Sequence, residues 1–195
     1  MTIVGILLAA GRGKRFDPSG VRNKLLQTLD GGAAGEHAGD AVVVASARKL
    51  LAVLPRVIAV VRPDDGQVAA KLGALGCEVR VCVDADTGMA ASLTHAIEHA
   101  KGAEGWLVAL GDMPFIQTNT IRLLARAIDD GARIAAPLHQ GRRGNPVAFS
   151  HFHLPLLLAL DGDQGARAIL KSHAVQDVVV DDPGVLRDID TPADL

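Results

Sequence analysis

Tyrosine is absent from this 195-residue chain, and aromatic residues make up only 3% of it. Proteins that bind single-stranded nucleic acid need rings on which bases can stack, so that role is excluded. An excess of charge of one sign is missing too. With 20 basic and 22 acidic residues the net charge is −2, and no global field draws the chain to nucleic acid or to a membrane. Any anion-binding function must be local. Cysteine is scarce: Cys77 and Cys82 stand in GCEVRVCV, which has neither the CxxC spacing of a redox or zinc pair nor the density of a secreted disulfide scaffold. That pattern predicts two buried thiols in a reducing compartment. No apolar run reaches the roughly 18 residues of a membrane span, and the positive charges follow the N-terminal apolar stretch instead of preceding it, the reverse of a secretion signal. The expectation is a cytoplasmic protein with no nucleic-acid or membrane partner.

What the chain does have is apolar material, 49% of its residues with a mean hydropathy of +0.25. That supplies the core of one globular domain spanning residues 1–195. Short β-branched runs (TIVGILLA, PRVIAVV at 55–61, EVRVCV at 78–83, GWLVALG at 105–111, ARIAAP at 132–137, PVAF at 146–149 and QDVVVD at 176–181) alternate with segments of helical period at 46–54, 67–75, 90–100, 119–130 and 165–172. Strand, helix, strand repeated in this way predicts a mostly parallel sheet covered on both faces, a three-layer α/β/α sandwich. The glycine-rich stretch LDGGAAGEHAGDA (29–41) reads as a surface loop or weak hairpin, and HFHLPLLLALDGD as a short helix near the substrate side.

Ligands of open α/β sheets bind beyond the carboxyl ends of the strands, so the residues that follow each apolar run matter most. The first such place is LLAAGRGKRF, Leu7 to Phe16. Gly11 and Gly13 let the backbone turn its N–H groups toward an anion, and Arg12, Lys14 and Arg15 supply positive charge. The dinucleotide fingerprint fails because Phe16 stands at its third glycine, and the P-loop fails because Arg15 stands where Ser or Thr is required. The remaining readings are a different phosphate device or a basic surface turn. The second place is Leu110-Gly111-Asp112-Met113-Pro114, where Asp112 is either a divalent-metal ligand or the start of an Asx-turn. The third is DIDTPADL at the C-terminus. Asp188 and Asp190 flank one residue and share a side of an extended segment, which suits a cation, while Asp190 or Thr191 also suits the cap of a terminal helix that begins at Pro192. Asp181 and Asp182 are a weaker acidic pair. Ser92 and His95 lack an orienting acid, and His151 and His153 lack convincing metal-ligand spacing, so no covalent nucleophile is expected.

Six ordered stretches together resemble the MobA-like nucleotidyltransferase family: LLAAGRGKRF with Asn23-Lys24-Leu25-Leu26, Gly88-Met89-Ala90-Ala91-Ser92-Leu93, LGDMPF, Gly144-Asn145-Pro146-Val147-Ala148-Phe149, Gly162-Asp163-Gln164-Gly165-Ala166-Arg167, and DIDTPADL. Within the family the chain is most similar to the molybdenum cofactor cytidylyltransferase branch, in which Ala9-Ala10 replaces an Ala-Gly pair. The resemblance implies a Rossmann-like nucleotidyltransferase fold and transfer of a nucleotide monophosphate, CMP from CTP, onto a phosphorylated acceptor such as molybdopterin, with release of pyrophosphate. It implies Mg²⁺ held by Asp112 with Asp190 and Asp188. The catalytic residues would be Arg15, Lys24 and Asp112. An NTP-binding N-terminal half would use Leu8, Ala9, Ala10, Gly11, Arg12, Gly13, Lys14, Arg15, Lys24, Gly88, Ser92 and Asp112. An acceptor-binding C-terminal half would use Met113, Pro114, Gly144, Asn145 and Pro146, and a molybdoenzyme would receive the product. Departures from the family pattern are the insertion between Phe16 and Arg22, Ala90 where glycine is common, Asn145 where histidine is frequent, and the glycine-rich 31–39. A transferase for a sugar or polyol phosphate, and a non-catalytic molybdopterin-binding chaperone, are the competing readings.

Overall fold

The chain's longest uninterrupted apolar runs lie deep in a single sheet, as expected of strands buried on both faces. The computed structural model describes residues 2–30, 39–162 and 165–195. Its strands are β1 (Ile3–Leu8), β2 (Val57–Val61), β3 (Glu78–Val81), β4 (Gly105–Leu110), β5 (Ile134–His139), β6 (Arg142–Arg143), β7 (Val147–Ser150) and β8 (Gln176–Val179). The helices are α1 (Val42–Leu51), α2 (Gly66–Ala74), α3 (Met89–Glu98), α4 (Thr118–Asp129), α5 (Leu154–Leu158) and α6 (Arg167–Ser172). Strand order runs β3-β2-β1-β4-β7-β5, with β8 pairing β5. The β3-β2-β1-β4 portion is parallel, β7 is antiparallel to both β4 and β5, and β8 is again parallel to β5.

Period-2 alternation divides the core in two. Leu7, Ala59, Leu107 and Ala109 face α1, α2 and α4, whereas Ile6, Ile58, Trp106 and Val108 face α3, α5 and α6. Helices on both faces of a mostly parallel sheet make the three-layer sandwich that the alternation predicts. α4 shows the sequence logic plainly, burying Thr120, Ile121, Leu124, Ala127 and Ile128 at helical spacing. α1 departs from expectation by starting at Val42 instead of Ser46. Its Val42-Val43-Val44 run has strand propensity, but Val42 to Ala47 are all buried, and tertiary packing overrides the local preference.

β6 also goes beyond expectation. Gln140 and Gly141, both at positive φ, turn the chain from β5 into β6. β6 and β7 pair with the same edge of β5 in registers offset by two residues, so they form one antiparallel strand broken at Gly144-Asn145-Pro146. The described ends of the glycine-rich stretch meet as a narrow ladder, with a Thr28–Ala41 bridge and the Leu29 N–H donating to the Asp40 carbonyl at 3.0 Å. Residues 31–38 lie outside the described residues, as do Asp163 and Gln164. The HFHLPLLLALDGD segment forms a 3-10 turn, His151–His153, followed by α5. It packs on α3, where Thr94 Oγ1 donates to the Leu157 carbonyl. Cys77 and Cys82 are buried and free, and burial pushes the Cys77 thiol up to about 11. No described helix is long and apolar enough to cross a membrane.

Candidate active site

β1 is flanked by β2 and β4, and the chain leaves it toward β2 and returns to it through β4. This is the switch point at which doubly wound sheets open a crevice. A cleft of about 680 Å³ lies there, beyond Leu8 and Leu110, large enough for a nucleotide. The residues Leu8 to Arg15 line it, together with Lys24, Gly88, Ser92, Asp112 and Asp190.

The segment after β1 winds as a loop before any helix begins. Gly13, at φ +60°, lets it turn back on itself, and the Gly13 carbonyl accepts from the Phe16 and Asp17 N–H groups. The insertion that follows is a compact turn. Asp17 accepts from Ser19 Oγ and from the Ser19 and Arg22 N–H groups, and these bonds, Ser19 Oγ foremost, hold its carboxyl below the ordinary range. Phe16 tucks beneath as a buried anchor. Asn23 then caps the 3-10 turn Lys24–Leu26 by accepting from the Leu25 N–H at 3.0 Å, while its amide donates to Asp65 at 2.8 Å. The insertion therefore brings Lys24 back over the loop of residues 11–15, where its stem packs against Gly13 so closely that a Cβ there would stand 3.2 Å from Lys24 Cγ.

Lys24 is 8% exposed and its ammonium joins three chain segments. Nζ donates to Asp112 Oδ2 at 2.6 Å and to the Ile189 carbonyl at 3.0 Å, and lies 3.7 Å from Asp190 Oδ1. Arg15 pairs with the other oxygen of Asp190. The Ile189 N–H donates back to the Asp112 carbonyl at 2.9 Å, which fastens the C-terminal segment to the end of β4. Asp112 follows Gly111, whose carbonyl accepts from Ser46 Oγ and whose N–H donates to Leu8. A Cβ at Gly111 would lie 3.2 Å from the Leu8 oxygen, so glycine permits the close approach of these two strand ends.

Asp112 Oδ1 is buried and has no hydrogen-bond partner among the described residues. A carboxylate oxygen in that state is short of a cation or donor, and Asp112 and Asp190 converging on one ammonium offer the hard oxygen donors that Mg²⁺ or Mn²⁺ prefers. The donor set fits a divalent metal. Asp188 is exposed and does not line the cleft. Thr191 makes a capping box with Asp194 around the terminal turn Pro192–Asp194, so capping falls to Thr191 and leaves Asp190 for the cleft.

Arg12 is committed elsewhere. Its Nε donates to Asp86 Oδ1 at 2.6 Å, its Nη2 pairs with Asp86 Oδ2, and its Nη1 lies 3.6 Å from Asp64. The guanidinium hydrogen bond holds the Asp86 carboxyl below the usual range. This clasp closes the 3-10 turn Ala85–Thr87 over the loop, and sequence reasoning missed it. The signal was there, because Asp86 follows the apolar run of β3 at the same end of the sheet. The start of α3, at Gly88 and Met89, carries no side-chain cap and opens on the cleft, the usual setting for an anion.

The expected acceptor residues divide. Asn145 lines a small apolar cavity of about 80 Å³ with Arg167, and this cavity shares Leu8, Met89 and Leu110 with the main cleft. Gly144 and Asn145 lie on the Pro183–Leu186 turn, where the Asn145 N–H donates to the Val185 carbonyl at 2.9 Å. Pro146, Met113 and Pro114 are buried and line neither cavity.

Comparison with known proteins bears on the family and the fold. Residues 5–178 match the model of the MobA-like NTP transferase domain. The chain is 29% identical over 202 residues to the purine catabolism protein PucB of Bacillus subtilis, covering 97% of this chain and 92% of that one. Among solved structures it is similar to Rv0371c of Mycobacterium tuberculosis, at 28% identity with a TM-score of 0.81, covering 100% of this chain and 96% of that one. A second structure of that protein, in complex with manganese, gives a TM-score of 0.77 at the same identity and coverage. A nucleotidyl transferase from Methanothermobacter is 25% identical with a TM-score of 0.78, covering 99% and 94% of the two chains.

Proposed function

The chain belongs to the MobA-like NTP transferase family, and from that premise we propose that it transfers CMP from CTP to the phosphate of molybdopterin, releasing pyrophosphate. The observation that carries this reading is the convergence of Lys24, Arg15, Asp112 and Asp190 at the mouth of a loop built to hold phosphates. An acceptor phosphate oxygen attacks the α-phosphorus, the bond to the α–β bridging oxygen breaks, and pyrophosphate leaves with the electron pair. Both partners are polyanions, so the protein's work is to position them and to screen their charge. The backbone N–H groups of Gly11, Arg12 and Gly13 cradle the triphosphate, while Arg15 and Lys24 bring positive charge to the reacting end. Asp112, whose Oδ1 is unpaired among the described residues, and Asp190 would hold Mg²⁺, which when bound would draw charge from the phosphate oxygens. Ala9 and Ala10 line the cleft, and the methyl that Ala10 carries in place of a glycine hydrogen disfavours a purine, a discrimination of roughly 1–3 kcal/mol. Asn145, beside the cavity that adjoins the cleft, faces the acceptor. The manganese complex of the Rv0371c relative supports the metal assignment.

Pyrophosphate release tests the proposal when CTP, GTP, ATP and UTP are compared with Mg²⁺, each with and without molybdopterin. Release is expected with CTP only when molybdopterin is present, and Asp112→Ala is expected to lower the rate by about 10²–10³-fold or more. Release with a sugar or polyol phosphate in place of molybdopterin overturns the acceptor assignment. Full activity of Asp112→Ala overturns the metal assignment.

A further inference from the structure

The end of the sheet opposite the nucleotide cleft carries a second cavity, of about 380 Å³, between the residues entering β5, the His151–His153 turn and the chain that runs from α6 into β8. Among the described residues its ionisable lining is Arg133, His153 and His173, with no carboxylate. His153 forms the floor, 1% exposed, and its Nδ1 has no hydrogen-bond partner among the described residues. Phe152, directly before it, is 57% exposed and stands edge-on to the His153 ring at 5.2 Å. The Arg133 guanidinium lies 3.8 Å from the centre of the Phe152 ring, and His173 approaches His153 from the other side at 5.0 Å. Small apolar side chains, Ala132, Ala174 and Val175, complete the walls.

We propose that this cavity binds a small planar carboxylate, a single ring bearing one acid group, at a site separate from the nucleotide cleft. The Arg133 guanidinium, beside two imidazoles and with no carboxylate among the described lining residues, gives the slot a fixed positive charge, and a planar guanidinium favours a carboxylate through paired hydrogen bonds. Burial first, and then the positive fields of His173 and Arg133, hold the His153 imidazole below its ordinary value, a cost that a bound anion relieves. The Phe152 ring and the small apolar walls suit a flat apolar body, and the volume lies at the small end of ligand sites, too tight for a second nucleotide. Contacts with Arg133 and His173 leave the Phe152 ring 57% exposed and the buried His153 Nδ1 without a hydrogen bond among the described residues, and packing alone explains neither.

Titration of the full chain with benzoate, followed through the histidine ring signals by NMR at constant pH, tests the site. The His153 and His173 signals are expected to shift saturably with a dissociation constant below about 1 mM, while those of His95 and His99 on α3 stay in place. Arg133→Met, at an exposed position, is expected to weaken binding by about tenfold or more, and Phe152→Ala to weaken it less. Failure to saturate by about 10 mM benzoate, or an unchanged titration in Arg133→Met, overturns the proposal. An equal response to acetate or inorganic phosphate also overturns it, because the slot then selects charge without shape.

Discussion

β4 has two unlike neighbours. It pairs with β1 in parallel from Ile3↔Gly105 to Leu8↔Leu110, and with β7 antiparallel from Gly105↔Ser150 to Val108↔Val147. On the β1 side each strand ends at the cleft, and the loops that follow β1, β3 and β4 supply Arg12, Asp86 and Asp112. On the β7 side the strand begins at the cleft, so the loop that precedes it brings in Asn145. The parallel side thus uses the general rule of parallel sheets, whereas the antiparallel side depends on a strand running the opposite way and on backbone segments in close contact. Gly144 and Gly184 mark those contacts. A Cβ at Gly144 would fall 2.2 Å from the Val185 oxygen, and one at Gly184 would fall 2.2 Å from the Phe115 oxygen. At Gly11 no described residue other than its chain neighbours comes within 4 Å of the corresponding point.

The largest effect that would sharpen this contrast is expected from Gly144→Ala or Gly184→Ala. Each forces backbone apart, with an expected cost of about 3 kcal/mol and a fall in Tm of about 6–12 °C in thermal unfolding. A Tm unchanged in both variants would break the comparison. Next comes Asp182→Ala. Asp182 is 1% exposed, accepts from the Gln117 N–H at 2.8 Å, Thr120 Oγ1 at 2.6 Å and the Gly184 N–H at 3.0 Å, and so caps α4 from a distant part of the chain. Its loss is expected to cost about 2–3 kcal/mol in denaturant unfolding, with little change in nucleotide affinity. The smallest stability effect belongs to Gly11→Ala, within about 0.5 kcal/mol of the parent chain. Its added methyl is expected instead to raise the KM for NTP by crowding the phosphate approach, and a fall in Tm like that of Gly144→Ala would show that Gly11 serves packing.

The same contrast governs how far the sequence could be read. Runs such as IVGILL and VIAVV are apolar at every position because both faces are buried, so their strands stand out, and the phosphate loop stands out as the break that follows the first of them. α1 was harder to read, because three valines in a row carry no helical signal of their own. β6 was harder still: two exposed arginines have no apolar pattern, and only the Gln140-Gly141 turn and the edge of β5 make them a strand.

The candidate site divides in the same way. Arg12, Arg15, Lys24, Asp112 and Asp190 are legible as residues placed just past apolar runs or in ordered motifs. Their partners are not, because Asp86 lies 74 positions from Arg12, and Lys24 lies 88 from Asp112 and 165 from Ile189. Sequence by itself determined the alternation of strands and helices and the concentration of cationic and carboxylate groups at strand ends, since these follow from local periodicity and residue chemistry. Only the tertiary structure decided that Lys24 is held between Asp112 and Asp190, that Asp188 stays outside, and that β7 starts at the site and runs away from it. Those outcomes depend on packing and hydrogen bonding between segments far apart in the chain, which no local pattern encodes.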